Sequence, residues 1–443
     1  MMRIAIVGAG ITGLSTAWLL SRQHEVTLFE AEDRLGGHSN TVSFQEDGRS
    51  IDVDTGFIVY NEQNYPNLVA LFDHLEVPTE SSDMSFAVSA DGGRFEYAGS
   101  LPGLVAQRRN LLRPRLWRMT REILRFYREA EKFLEEPDPA LTITGYLDRE
   151  GYSQAFRQDH LLPMAAAIWS SSFDEIQDFP AVSFLQFFRN HGLLKLKDRP
   201  QWRTVSGGSR SYVERMAAAI SGQVRTGTVV QGLERTNREL RLTLTNGEQA
   251  CFDQVVLACH ADQARRILGH QASPLEGVLL NAFRYEKNRA VLHQDTRLMP
   301  RNRRAWASWN YISSGETDWD KAVSVTYWMN RLQNLQSRQP VLVSLNPATE
   351  PDPRLVIGEY NYSHPLFDAA AITAQQDLSS IQGRDRVWFC GSYCGYGFHE
   401  DGLQAGLAVA AGLGCPAPWA QQVAAHSPAL EHASPEPYPM AAE

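Results

Sequence analysis

Apolar residues run unbroken through positions 4–7, which predicts a strand buried on both faces. An apolar helix over 11–22 and a second strand over 25–29 complete an opening βαβ unit. Shorter alternating stretches at 41–60 are followed by a helix near 64–75 and strands near 85–97. From about 103 to 202 the spacing turns helical, broken at Pro114, Pro137, Pro139, Pro163 and Pro180, and reads as an inserted block. A helix is expected over 209–221, then strands through 223–258, and more sheet near 304–311, 321–328, 341–345 and 355–362. The last unit is a strand at 387–390, a glycine-rich loop and a helix over 402–413. Six prolines in the 28 residues from Pro416 predict a flexible tail over 417–443.

Composition narrows the class. Length of 443 residues suits two domains. A net charge of −9 argues against a nucleic-acid partner. Five cysteines, at 251, 259, 390, 394 and 415, are an odd and scattered set that suits a reducing cytosol. The N-terminal stretch is interrupted by Gly8, Gly10 and Gly13 and lacks a cleavage signal, and no window reaches membrane-span length, so a cytoplasmic protein is expected, with peripheral membrane contact left open. Aromatic residues make up 10% of the chain, and they fill core or face a flat cofactor or hydrophobic substrate.

The first chemical motif is Gly8-x-Gly10-x-x-Gly13 between the first strand and the first helix, with Glu30 and Ala31 closing the second strand. Gly8 allows a tight turn, Gly10 lets backbone approach a pyrophosphate, and Gly13 allows close packing of helix on strand. Backbone N–H groups around Ile11 and Thr12 at the helix N-terminus suit phosphate, and Glu30 suits ribose hydroxyls. These parts in register predict dinucleotide binding.

Beyond this unit the chain reads Arg34-Leu35-Gly36-Gly37-His38, then Asp54-Thr55-Gly56-Phe57, then Val205-Ser206-Gly207-Gly208 before a helix, and finally Gly391-Ser392 and Asp401-Gly402-Leu403. In these segments it resembles the flavin-containing amine oxidase superfamily, which includes phytoene desaturases and protoporphyrinogen oxidase. The resemblance runs to about Trp419. It implies FAD, held by the glycine fingerprint, by Gly36, Gly37 and His38 along the pyrophosphate, and by Thr55, Gly56 and Phe57 beside the isoalloxazine. Val229, on a strand from Val224, would hold the adenine end, Gly391 and Ser392 the ribityl chain, and Gly402 and Leu403 the flavin C2 carbonyl. His38 stands where the family has arginine, and Ser392 where it has glutamate. Segments 326–333 and 389–402 resemble a bacterial group similar to the oxidase-like N-terminal region of plant cyclopropane fatty acid synthases.

The fold implied is α/β: a Rossmann-type FAD-binding domain from 1–62, 203–285 and 383–416, with a substrate domain of antiparallel sheet plus helices from 63–202 and 286–382. The flavin-facing wall expected is Gly56, Phe57, Tyr393, Tyr396, Phe398, His399 and Leu403. Candidate catalytic residues are His399, with Glu400 as its partner, and Tyr396. A structural role for His399, at the start of the last helix, is the competing reading. No metal is expected, because Cys390, Cys394 and His399 lack a fourth ligand; Cys394 is a candidate for covalent flavin. The expected activity is transfer of hydride from a substrate C–H to flavin N5. The substrate is a hydrophobic small molecule or lipid, fatty acyl or isoprenoid, ahead of an amine; a redox-neutral isomerase or a flavin-binding module is the third class. With one dinucleotide fingerprint, the acceptor is oxygen, a quinone or a redox protein.

Residues 108–128 carry eight arginines, at 108, 109, 113, 115, 118, 121, 125 and 128. Leu112, Leu116, Met119, Ile123, Phe126, Ala130 and Phe133 recur at helical spacing, which predicts one helix with an apolar face and a basic one. That helix is either a solvated cover or a contact for anionic lipid or an acidic acyl carrier.

Overall fold

The computed structural model describes residues 1–313 and 324–426. Its centre is a five-stranded parallel sheet in the order Gln223–Arg225, Glu25–Phe29, Arg3–Val7, Gln254–Leu257, Val387–Phe389. Arg3 pairs with Glu25 and Val7 with Phe29 across the helix Ile11–Leu20. Every residue of that helix is buried, as its all-round apolar sequence requires. It packs against the helix His399–Gly412, where a Cβ on Gly406 would lie 2.6 Å from the Thr12 carbonyl oxygen. This close crossing sets the N-termini of both helices side by side. The C-terminal helix starts three residues earlier than its expected start at 402.

A seven-stranded sheet follows the order Val356–Pro365, Tyr285–His293, Leu342–Leu345, Val325–Trp328, Trp309–Ile312, Phe86–Ala90, Phe95–Ala98. Neighbours are antiparallel except Phe86–Ala90 against Trp309–Ile312. Leu116, Met119 and Phe126 of the helix Pro114–Glu135 share a core with Phe156, Trp169, Phe184 and Phe188 and with Val88, Leu292 and Val343 of this sheet. The fold is therefore α/β, a Rossmann-type parallel sheet beside a mixed, largely antiparallel one covered by helices. Residues 321–323 of an expected strand lie outside the described residues.

Four local expectations change. Trp419 is buried, stacked on Trp18 at 5.8 Å, and donates its Nε1–H to Asn67, so the chain is anchored at Trp419 and continues as the helix Ala420–His426; 427–443 lies outside the described residues. Ala371, Ala374, Leu378 and Ile381 pack with Val255 and Phe389 of the parallel sheet, so the chain returns to that sheet well before 383. Residues Arg108–Leu112 form a 3-10 turn, and the long helix begins only at Pro114, because proline suits a first helical turn and not an interior. Leu112 therefore leaves the apolar face and is 88% exposed.

Candidate active site

The carboxyl ends of Arg3–Val7 and Gln254–Leu257 open onto a crevice, the place where open parallel sheets bind ligands. A Cβ on Gly8 (φ +103°) would lie 2.6 Å from the Ala258 carbonyl oxygen, and one on Gly13 only 1.8 Å from that of Gly8. Both glycines are demanded by the protein's own packing. Gly10 is not: its φ of −71° and ψ of −175° suit any residue, and a Cβ there meets nothing within 4 Å. The space beside Gly10, at the start of the helix, is open. Glu30 accepts from Ala9 N–H at 2.7 Å and Glu32 N–H at 2.9 Å, bracing the loop from behind, while Ala31 beside it is exposed.

The second glycine pair closes on the first. Gly36 N–H donates to the Ala9 carbonyl at 2.8 Å, and Gly37 lies against the Gly10 backbone. The next residues run back to Gly56 and Phe57, whose N–H donates to the His38 carbonyl at 2.8 Å. Thr55 joins Asn40 and Tyr362 by hydrogen bonds of 2.6 to 3.1 Å. Asp54 is buried and accepts from Thr41 Oγ1, Ser209 N–H and Oγ, and Gln333 Nε2 at 2.6 to 3.0 Å. One carboxylate thereby fastens the Gly207-Gly208 turn and the 326–333 segment to the crevice.

His399 stacks on Phe57 with ring centres 3.9 Å apart, and its Nε2 meets Tyr212 Oη at 2.6 Å and Ser39 Oγ at 3.3 Å. Burial pushes its pKa down to about 3, so the ring is neutral at physiological pH. Glu400 is not its partner. Its carboxylate accepts from Asn67 N–H, Asn67 Nδ2 and Leu68 N–H at 2.9 to 3.0 Å, capping the helix Pro66–His74, since helix-terminal N–H groups need acceptors. Asp401 accepts from Phe398 N–H at 2.8 Å, and burial raises its pKa to about 7. Gly402 lies against Thr12, with Leu403 buried behind it.

The loop before this helix departs from expectation at Tyr393, which packs on Phe283 under the parallel sheet, away from Phe57 and His399. A Cβ on Gly391 would strike its ring, and the Ser392 carbonyl accepts from Gly395 and Gly397 N–H. Burial raises the Cys394 thiol to about 12, which keeps it protonated and a poor nucleophile. Tyr396 and Phe398 face Phe187 of the helical block at 6.0 and 5.0 Å. Val229 is not on a strand with Val224: that strand ends at Arg225, and Val229 lies in the connecting loop with its carbonyl accepting from Thr245 N–H.

Three histidines without a shared motif converge here. His38 has ring centres 5.3 Å from His364, 6.2 Å from His260 and 5.0 Å from Tyr362. Burial holds all three imidazoles below their ordinary range, His364 at about 4. Arg289 N–H donates to Asn346 Oδ1, Asn346 Nδ2 to Asn288 Oδ1, and Asn288 Nδ2 to His364 Nδ1, at 2.6 to 2.9 Å. A backbone N–H can only donate, so every orientation along this chain follows, and the His364 proton sits on Nε2. His38 Nε2 is buried and has no partner. Tyr362 and His364 lie two apart on one strand and so share a face; that parity was the available signal for this cluster. Ser39, Asn40, Tyr212, His260 and Asn288 carry no local signature.

The profile described as flavin containing amine oxidoreductase matches residues 11–290. The chain belongs to this family. AofH of Mycobacterium tuberculosis, named as a flavin-containing monoamine oxidase, is 26% identical over 255 residues, 55% of this chain and 54% of that protein. 4,4'-Diapophytoene desaturase of Staphylococcus aureus is 32% identical over 107 residues, 19% of this chain and 21% of the desaturase. The chain thus matches about half the length of AofH and a fifth of the desaturase. Cyclohexylamine oxidase of Brevibacterium oxydans shares the fold, with a TM-score of 0.68 over 93% of this chain and 98% of that one at 16% identity.

Family membership implies a flavin, of which FAD is the typical form. The residues fit it. Open space over Gly10, two helix N-termini turned to one crevice and the orphaned Nε2 of His38 are what an anionic dinucleotide would complete. Among the described residues no helix is long and apolar enough to cross a membrane.

Proposed function

We propose that the protein is an FAD-dependent oxidoreductase that oxidises or desaturates a hydrophobic, lipid-like substrate. The observation that supports this substrate class is the lining of a small cavity of about 80 Å³, formed by Trp169, Phe179, Ser183, Phe184, Phe367, Ile372, Gln375 and Tyr396. Its wall carries no charged side chain, so it favours an apolar chain over an ion. Bound FAD supplies the two-electron acceptor for a substrate C–H. Gly10, Ile11 and Thr12 would hold its phosphates, Glu30 a ribose, and Gly37 with His38 the pyrophosphate. Phe57 and His399 wall the site, with His399 orienting as a neutral ring hydrogen-bonded to Tyr212 rather than carrying a proton. Tyr396 presents an aromatic face to the substrate. Reoxidation falls to oxygen, a quinone or a redox protein. The resemblance of 326–333 and 389–402 to the cyclopropane synthase-like group belongs to the same reading.

Amine oxidation is the second reading, favoured by the relatives' names. It usually calls for a lysine near flavin N5, and Lys132, Lys195, Lys197 and Lys287 are all exposed, while Lys321 lies outside the described residues. Asn288, next to Lys287 on that strand, is buried. The test is anaerobic bleaching of the protein's flavin by a fractionated lipid extract against an amine panel. Bleaching by an amine and by no lipid fraction overturns the lipid reading; a lipid changed without net oxidation identifies an isomerase.

A further inference from the structure

We propose that an arginine-rich knob on the helical block docks the protein on the anionic surface of a lipid bilayer. The knob is built from the helix Leu101–Leu104, the turn Arg108–Leu112 and the first turns of Pro114–Glu135. Leu101 is 84% exposed, Leu112 88% and Trp117 54%. Single exposed apolar residues are ordinary; a cluster of large ones within 17 residues is not. They are not slack. Ser100 Oγ caps the first helix by accepting from Gly103 N–H, Trp117 Nε1–H donates to the Leu111 carbonyl at 2.8 Å, and buried Asn110 donates to the Glu96 carbonyl at 3.1 Å. The scaffold holds these side chains outward.

Around them stand Arg108, Arg109, Arg118 and Arg121 of the knob, with Arg94, Arg303 and Arg304 from adjoining elements, all exposed. Arg109 and Arg113 donate to the Arg94 carbonyl at 2.9 and 3.0 Å, and Asn302 Nδ2 donates to the Ala106 carbonyl, which fixes the three elements together. Among the described ion pairs none involves Arg94, Arg108, Arg109, Arg113, Arg118 or Arg121. Among the described residues the nearby acids are already engaged. Asp91 and Asp159 pair with Arg115, and buried Glu96 accepts from Ser89, Gln107 and the Arg301 and Asn302 N–H groups. Among the described residues of a chain of net charge −9, positive charge without an acidic partner thus gathers at one place.

The occupant follows from shape and charge together. Apolar tips protruding singly between guanidinium groups reach past anionic headgroups into the acyl boundary, with arginine stems lying along apolar surface. A protein partner would need pockets matched to each tip, and an acidic carrier would use the arginines while leaving Leu101 and Leu112 in water. The inference does not depend on the substrate reading, because it concerns a surface that the redox site does not use.

The test is co-sedimentation of the flavin-loaded full chain with vesicles of phosphatidylcholine alone or mixed with phosphatidylglycerol, at physiological salt. Binding is expected to the mixed vesicles and to fall with added salt. Arg118→Glu with Arg121→Glu should weaken it by at least about 30-fold, and Leu112→Ser with Leu101→Ser by about 10-fold or more, with flavin content and melting unchanged. Arg384→Glu, at an exposed position elsewhere, should leave binding unaltered. Failure to bind either vesicle, equal binding of the charge-reversed variant, or binding to an acidic acyl carrier that the leucine substitutions do not affect would each overturn the proposal.

Discussion

Replacing Gly10 by alanine separates the protein's packing needs from the cofactor's. In the folded chain the new Cβ meets nothing within 4 Å and the backbone is already in a region open to alanine, so apoprotein stability should change by no more than about 0.5 kcal/mol. The same change at Gly13 puts a Cβ 1.8 Å from the Gly8 carbonyl oxygen, which backbone must move to relieve, at a cost of about 3 kcal/mol or more. With flavin the order inverts. A methyl over the helix N-terminus holds the pyrophosphate away from N–H donors, and hydrogen bonds to a charged group contribute about 1.5–3 kcal/mol each. Losing two of them weakens flavin binding by roughly 100-fold or more. The assay pairs urea unfolding of both apoproteins with flavin absorbance per mole of purified protein. Full flavin retention by Gly10→Ala, or apo Gly10→Ala as unstable as Gly13→Ala, refutes the reasoning.

Glu400→Ala leaves buried N–H donors of Asn67 and Leu68 without an acceptor and should lower stability by about 3 kcal/mol, read by denaturant titration; unchanged stability with lost flavin reduction would make Glu400 a chemical group. Asp401, with its folded pKa raised to about 7 from 3.8, binds a proton that the unfolded chain releases. Stability should therefore fall as pH rises from about 4 to 7, by up to roughly 1.4 kcal/mol per unit, and Asp401→Asn should flatten this dependence. Because His399 titrates only near pH 3, His399→Gln should leave the shape of the pH–rate profile for flavin reduction unchanged over the neutral range; disappearance of a step near neutrality would restore it as a proton carrier. The Cys394 thiol, held protonated with its pKa raised to about 12, should resist alkylation in the native protein, and acid precipitation should release all flavin to the supernatant.

Much of this was legible locally. The run at 4–7, the glycine spacing and the alternation after 223 fix their elements because each depends on neighbours in sequence. The late start of the long helix has a local cause in Pro114; the other errors come from long-range partnership. Glu400 looked like a proton relay beside His399, yet its acceptor atoms answer to Asn67 and Leu68, 333 and 332 residues away. Asp54 belonged to a recognisable segment, but its task of joining Thr41, Ser209 and Gln333 follows only from tertiary structure. The proline-rich end concealed Trp419, whose burial against Trp18 no local pattern announces.

The order of strands in the parallel sheet also has a consequence for how the protein is made. The outermost strand, Val387–Phe389, pairs with Gln254–Leu257, and the helix that closes the crevice against Ile11–Leu20 comes only after it. The two halves of the crevice leave the ribosome roughly 20 to 80 s apart at about 5–20 residues per second. During that interval the nascent chain carries an unsealed sheet edge and an apolar helix missing its cover, a window for aggregation. A chain released short of residue 387 would stay in that state, colourless and prone to chaperone capture, however well its first 60 residues had folded.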